Sequence, residues 1–98
     1  MPQPNIYSQT FESANILDVE VGTNCPQGGD TGHGGCTVFR LVNQASTDLS
    51  VGVNGNAPQS VESVEIVLGG DTECETFLEA LKFAVKILNA QILLNRSH

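Results

Sequence analysis

Between Thr72 and Asn95 the apolar residues fall into two seams: Leu78, Leu81, Val85, Leu88 and Ile92 in one, Ala80, Phe83, Ile87, Ala90 and Leu94 in the other. Each seam steps three, four, three, four, the spacing that stacks side chains along one side of an α-helix. At about 100° per residue the two seams lie more than a quarter turn apart. With Phe77 and Ala84 between them, the apolar arc is roughly twice the ~100° of a half-buried surface helix. Glu75, Glu79, Lys82, Lys86 and Asn89 hold the narrow polar remainder. Gly69-Gly70 stops whatever precedes the helix, and Thr72-Glu73-Cys74-Glu75 fits a capping box in which the threonine oxygen takes a free amide and Glu75 reaches back.

Upstream, the period changes from helical to alternating. Ile16 to Val21 places Leu17, Val19 and Val21 on one face and Asp18 and Glu20 on the other, a half-buried strand. Cys36 to Asn43 sets Thr37, Phe39 and Leu41 against Val38, Arg40 and Val42, and two largely apolar faces predict a central strand. Leu49, Val51 and Val53 alternate into a third strand, Asn54-Gly55 marks a turn, and Val61 to Leu68 forms a fourth. Met1 to Ala14 has no sustained apolar period and is expected as an extended arm, with Ile6, Tyr7 and Phe11 as its anchors. The expectation is an α+β fold: an antiparallel meander of about four strands covered by one long C-terminal helix, with residues 15–98 as a single domain behind the arm 1–14.

The helix predicts an assembly. Twenty-odd helical residues span roughly 36 Å, whereas a six-residue strand spans roughly 20 Å, so the helix overhangs its own sheet. One seam can cover the sheet, but the chain holds no second helix to cover Ala80, Phe83, Ile87, Ala90 and Leu94. Each large apolar side chain left wet forgoes roughly 1.5–3 kcal/mol. Two covers are available, a second copy of the chain or the arm Met1 to Ala14, and the first is the expected one.

Composition fits this picture and narrows the function. The chain has 98 residues and is 40% hydrophobic and 15% charged, which suits one globular domain whose small core gains from a second buried surface. Eleven acidic against four basic residues give a net charge of -7, which repels nucleic acid and anionic membrane surfaces. The start of the chain lacks the basic and apolar regions of a secretory signal, and a cytoplasmic protein is expected. Three cysteines make no closed disulfide framework; Cys25 and Cys36 are the pair that spacing offers for a bridge.

The chemistry gathers between Gly22 and Cys36, a loop holding six of the ten glycines. Glycines let backbone amides turn toward a ligand, and a loop of this length is functional or mobile. Asn24, Gly28, Gly29, Asp30, Thr31, His33 and Gly34 are the candidate ligand-binding residues, with Arg40 behind them. Asp30 would meet a hydroxyl, and Arg40 would either meet a phosphate or pair with Asp18 or Glu20 across the sheet. Neither the P-loop spacing nor the dinucleotide glycine pattern is present, so no cofactor is expected. Cys25, His33, Cys36 and Asp30 lack the paired spacing of a structural zinc site, and no metal is expected either.

These residues give three functional readings in order. The first is a non-enzymatic homo-oligomeric binding protein whose glycine-rich loop holds a small, nucleotide-like ligand or a protein partner. The second is an acidic inhibitor or adaptor docking on a basic protein surface. The third is a hydrolase using His33 with Asp30 to activate Cys25, Cys36 or Thr31; glycines on both sides of His33 leave such a dyad poorly preorganised.

Overall fold

The computed structural model describes residues 4–26 and 34–96. In chain order its elements are β1 (Tyr7–Glu12), β2 (Ile16–Thr23), β3 (Cys36–Ala45), β4 (Ser50–Val51), β5 (Gln59–Ser60), β6 (Ser63–Gly69) and α1 (Asp71–Arg96). An antiparallel sheet of four strands runs β1-β2-β3-β6, and β4 and β5 make a separate two-stranded ribbon. The α+β class and the single long C-terminal helix match the sequence expectation, and β3 is central as its two apolar faces required.

The fourth sheet strand is not the expected one. Residues 7–12, expected as part of an arm, pair in full register with β2, from Tyr7 opposite Val21 to Glu12 opposite Ile16. Close approach at this edge depends on Gly22, where a Cβ would collide with the backbone carbonyl of Asn5. The stretch expected as a third sheet strand turns away instead. Asn54 and Gly55 both take positive φ, 54° and 78°, and the Asn56 N–H donates to the Val53 carbonyl at 3.0 Å. Such a turn closes a local hairpin, so Ser50–Val51 finds its partner in Gln59–Ser60.

Register gives the sheet two unlike faces. Tyr7, Val21, Phe39 and Ile66 lie side by side across the four strands, with Gln9, Val19, Leu41 and Val64 in the next row. This apolar face receives α1. On the other face Glu20, Arg40 and Glu65 are neighbours across β2, β3 and β6, and Arg40 forms ion pairs with both carboxylates. Nearby, Thr10 donates to Asp18 at 2.5 Å and Gln44 donates to Asp18 at 2.6 Å.

The helix starts at Asp71, one residue before Thr72, so Thr72 stands inside the first turn rather than ahead of it as the capping box required. The preceding Gly70 has φ 118° and is buried. Over its 26 residues α1 has no buried side chain. It meets β3 and β6 near its start, where Cys74, Phe77 and Leu81 are half-buried. At 1.5 Å per residue the helix is about 39 Å long, and the chain stretches to 52 Å against 29 and 28 Å in the other directions. The overhang is thus larger than the sequence implied: the helix caps one end of the sheet instead of lying along it. None of its helices is long and apolar enough to cross a membrane, among the described residues.

Full burial among the described residues is confined to Pro4, Gly22, Gly35, Cys36, Thr37, Val38 and Gly70. No aromatic residue, leucine or isoleucine is in that set. Tyr7 is 72% exposed, Phe83 65%, Leu93 66%, Leu94 62% and Leu88 58%. The described residues of one chain therefore do not assemble a hydrophobic core of the size that 98 residues ordinarily form.

Candidate functional site

The end of the sheet where β2 stops, β3 begins and α1 starts collects the polar groups of the apolar face. Thr23 and Thr37 are opposite one another, and their hydroxyls lie 2.8 Å apart. The Thr23 hydroxyl also donates to the Cys36 carbonyl at 3.2 Å, accepts from the Cys25 N–H at 3.1 Å, and is 3.5 Å from the Cys74 sulfur. One threonine oxygen thus ties together β2, β3, the loop and the first turns of α1.

The neck of the glycine-rich loop is closed by backbone bonds beyond the strands. Asn24 N–H donates to the Cys36 carbonyl at 3.2 Å, and the Cys36 N–H donates to Asn24 Oδ1 at 2.7 Å. At the other side of the neck Gly70 N–H donates to the Gly35 carbonyl at 2.7 Å. A Cβ on Gly35 would run into the Asp71 carboxylate. The loop is therefore rooted against the helix start.

Beside this root opens a cleft of about 470 Å³, within the range of small-molecule sites. Tyr7, Val21, Phe77, Leu78 and Leu81 make its apolar wall, and Thr23, Thr37, Cys74 and Asn5 supply the hydrogen-bonding groups. Phe77 anchors the wall by an edge-to-face contact with Phe39.

Two thiols differ in character: Cys74, which lines the cleft, and Cys25, whose N–H donates to Thr23 beside it. Partial burial, and next its hydrogen bond to Cys74, push the Cys25 thiol up to about 11, and the nearby Asp71 and Glu75 carboxylates act in the same direction. Cys74 moves the other way: hydrogen bonds from Thr37 and then Thr23 favour its thiolate and hold it below the ordinary thiol value, against burial and Glu75. The two threonine hydroxyls thus outweigh the acidic neighbour Glu75.

Of the expected ligand-binding residues, Gly28, Gly29, Asp30, Thr31 and His33 lie outside the described residues. Asn24 and Gly34 flank the neck. Arg40 does not join them. It is on the face away from α1, with Nε donating to Glu65 at 2.8 Å and Nη1 donating to Glu20, and both carboxylates raise its pKa further. The pairing with Glu20 that sequence offered as one alternative is the arrangement found, and it leaves Arg40 neutralised rather than turned toward a phosphate. Cys25 and Cys36 are not bridged; all three cysteines are free thiols. Among the described residues no group of three His, Cys, Asp or Glu side chains is placed to hold a metal ion.

Sequence reasoning missed Thr23, Thr37 and the cleft side of α1. Its available signal was a threonine at the head of an otherwise apolar face, Thr37 before Phe39 and Leu41. Compared with known proteins, the chain matches no family model, no curated protein and no solved structure. What the fold and site define is a class only: a small α+β chain with a four-stranded antiparallel sheet, one overhanging helix and an amphipathic cleft between them.

Proposed function

We propose that the protein is a non-enzymatic, cytoplasmic, homo-oligomeric binding protein, joined through α1 and the apolar sheet face, with a small-molecule site in the cleft at the helix start. The observation that carries this reading is the missing core. Phe83, Leu88, Leu93 and Leu94 are each more than half exposed, and burying each would contribute roughly 1.5–3 kcal/mol. The alternative cover is already used elsewhere, since residues 7–12 form the sheet edge. Ala80, Phe83, Ile87, Ala90 and Leu94 make the seam that pairs with another copy, where the two alanines permit close approach of helices.

The cleft favours a ligand with a flat or aliphatic body and one or two hydroxyl or amide groups, because its wall is apolar and its polar groups are uncharged. A nucleotide phosphate finds no cation in this wall. A nucleoside-like body without phosphate fits this wall, beside which the neck of the glycine-rich loop is rooted at Asn24 and Gly35. A thermal-shift panel of nucleosides and aromatic alcohols tests the ligand half. Members of the panel should raise the unfolding midpoint of the native protein and lose that effect in Thr37→Val and Leu81→Trp; a panel inert on the native protein contradicts it.

A further inference from the structure

Cys25 and Cys74 are separated by nearly half the chain, yet they share one corner of the fold. The Cys25 sulfur lies 3.8 Å from the carbonyl oxygen of Asp71, which is one helical turn before Cys74. Because a helical side chain leans back over the preceding turn, Cys74 reaches toward the same place. Thr23 braces both, through the Cys25 N–H at 3.1 Å and the Cys74 sulfur at 3.5 Å. Cys36 is set apart: it is buried and precedes Thr37, so its side chain is on the face of β3 away from the cleft.

We propose that Cys25 and Cys74 form a dithiol site that a low-molecular-weight disulfide oxidises to an intramolecular bridge, stapling the neck of the glycine-rich loop to the start of α1. The inference stands on the thiol geometry and does not depend on the ligand reading. Cys74 is the attacking group, since two threonine hydroxyls favour its thiolate and the thiolate is the nucleophile. Its sulfur attacks one sulfur of glutathione disulfide, forming a mixed disulfide and releasing glutathione thiolate. That thiolate takes the Cys25 proton. The Cys25 thiolate then attacks the Cys74 sulfur, closing the protein disulfide and expelling the second glutathione. The second glutathione thiolate takes up, through solvent, the proton that Cys74 released on ionising, so two protein thiols are oxidised, one glutathione disulfide is reduced to two thiols, and electrons and protons balance. The bridge removes a polar sulfur from the cleft and fixes the loop neck against the helix.

The test is to equilibrate the native protein with glutathione disulfide, alkylate it with iodoacetamide without unfolding and then after unfolding, and map the peptides with fragmentation. The expected result is a Cys25–Cys74 linkage, with Cys36 alkylated only after unfolding. In Cys25→Ser the mixed disulfide with glutathione should accumulate on Cys74, whereas Cys74→Ser should leave Cys25 largely unmodified. A bridge through Cys36, a bridge between chains, or three alkylatable thiols after treatment would overturn the proposal. The linkage in the native protein is decisive should either variant fail to fold.

Discussion

Phe77 meets Phe39 edge to face, with ring centroids 5.8 Å apart and ring planes at 68°. This contact holds the first turns of α1 on the centre of the sheet, and past Leu81 every helix residue except the half-buried Ile87 is exposed. A single aromatic hinge therefore fixes the direction in which an exposed apolar rod projects, and Phe77→Ala should cost roughly 2 kcal/mol, combining half-burial with the ring pairing. Urea unfolding at fixed protein concentration measures it; an unchanged midpoint would mean that the helix is held elsewhere.

Phe83 separates the isolated chain from the assembly. In one chain it is 65% exposed, so Phe83→Asp should change intrinsic stability by less than about 0.5 kcal/mol. In the proposed assembly the same substitution would place a carboxylate in an apolar seam and should weaken association by roughly 2–4 kcal/mol. Lys82→Asp, on the neighbouring polar strip, serves as the control and should leave association nearly intact. Dissociation constants from dilution series distinguish the two.

Arg40 bridges three strands, and replacing it by methionine leaves Glu20 and Glu65 on either side of β3 with no cation between them. The pairs are about one-third exposed on the arginine side, so solvent screening keeps the loss small at low salt and smaller still at high salt. The arginine pKa, raised further by Glu20 and Glu65, makes this contribution complete throughout the neutral range, so it should not vary across neutral pH. A midpoint difference that changes between pH 6 and 8 would contradict the assignment.

The thiols give a pH dependence with a definite sign. The unfolded chain loses the Cys25 proton near 9.0 and the folded chain near about 11. Its contribution to stability is thus complete below the lower value and lost as pH rises toward the upper one. Cys74, held below its ordinary value, acts oppositely and supports the fold on the alkaline side. Cys25→Ser should accordingly flatten an alkaline decline in stability, and Cys74→Ser should steepen it. At neutral pH iodoacetamide should reach Cys74 before Cys25; the reverse order would show that the threonine hydroxyls do not hold the Cys74 thiolate.

Much of the fold was legible because β2 and β6 largely alternate, β3 is apolar on both faces and α1 keeps a period between three and four. β1 was missed because an edge strand that is exposed throughout needs few apolar residues: Tyr7 and Phe11 alternate, but Gln9 interrupts the face. The stretch around Val51 has the right alternation and still leaves the sheet, since the Asn54-Gly55 turn pairs it locally before β3 can. The helix start moved by one residue because Gly70, bonded to Gly35, takes the flanking role assigned to Thr72. At the site, the glycine-rich loop was visible as composition, whereas the convergence of Thr23, Thr37, Cys25 and Cys74 is tertiary. It arises only when β2 and β3 pair and α1 folds back over their end. Arg40 looked available in the sequence because its second partner, Glu65, lies 25 residues away.

Sedimentation equilibrium of the full chain at micromolar concentration tests the central claim most directly, because one chain leaves the helix without a buried side chain. A mass at an integral multiple of 10.4 kDa, two or more, is the predicted result, falling toward the single-chain mass in Phe83→Asp. A native protein that remains at 10.4 kDa through that concentration range would contradict the assembly and the shared surface built on it.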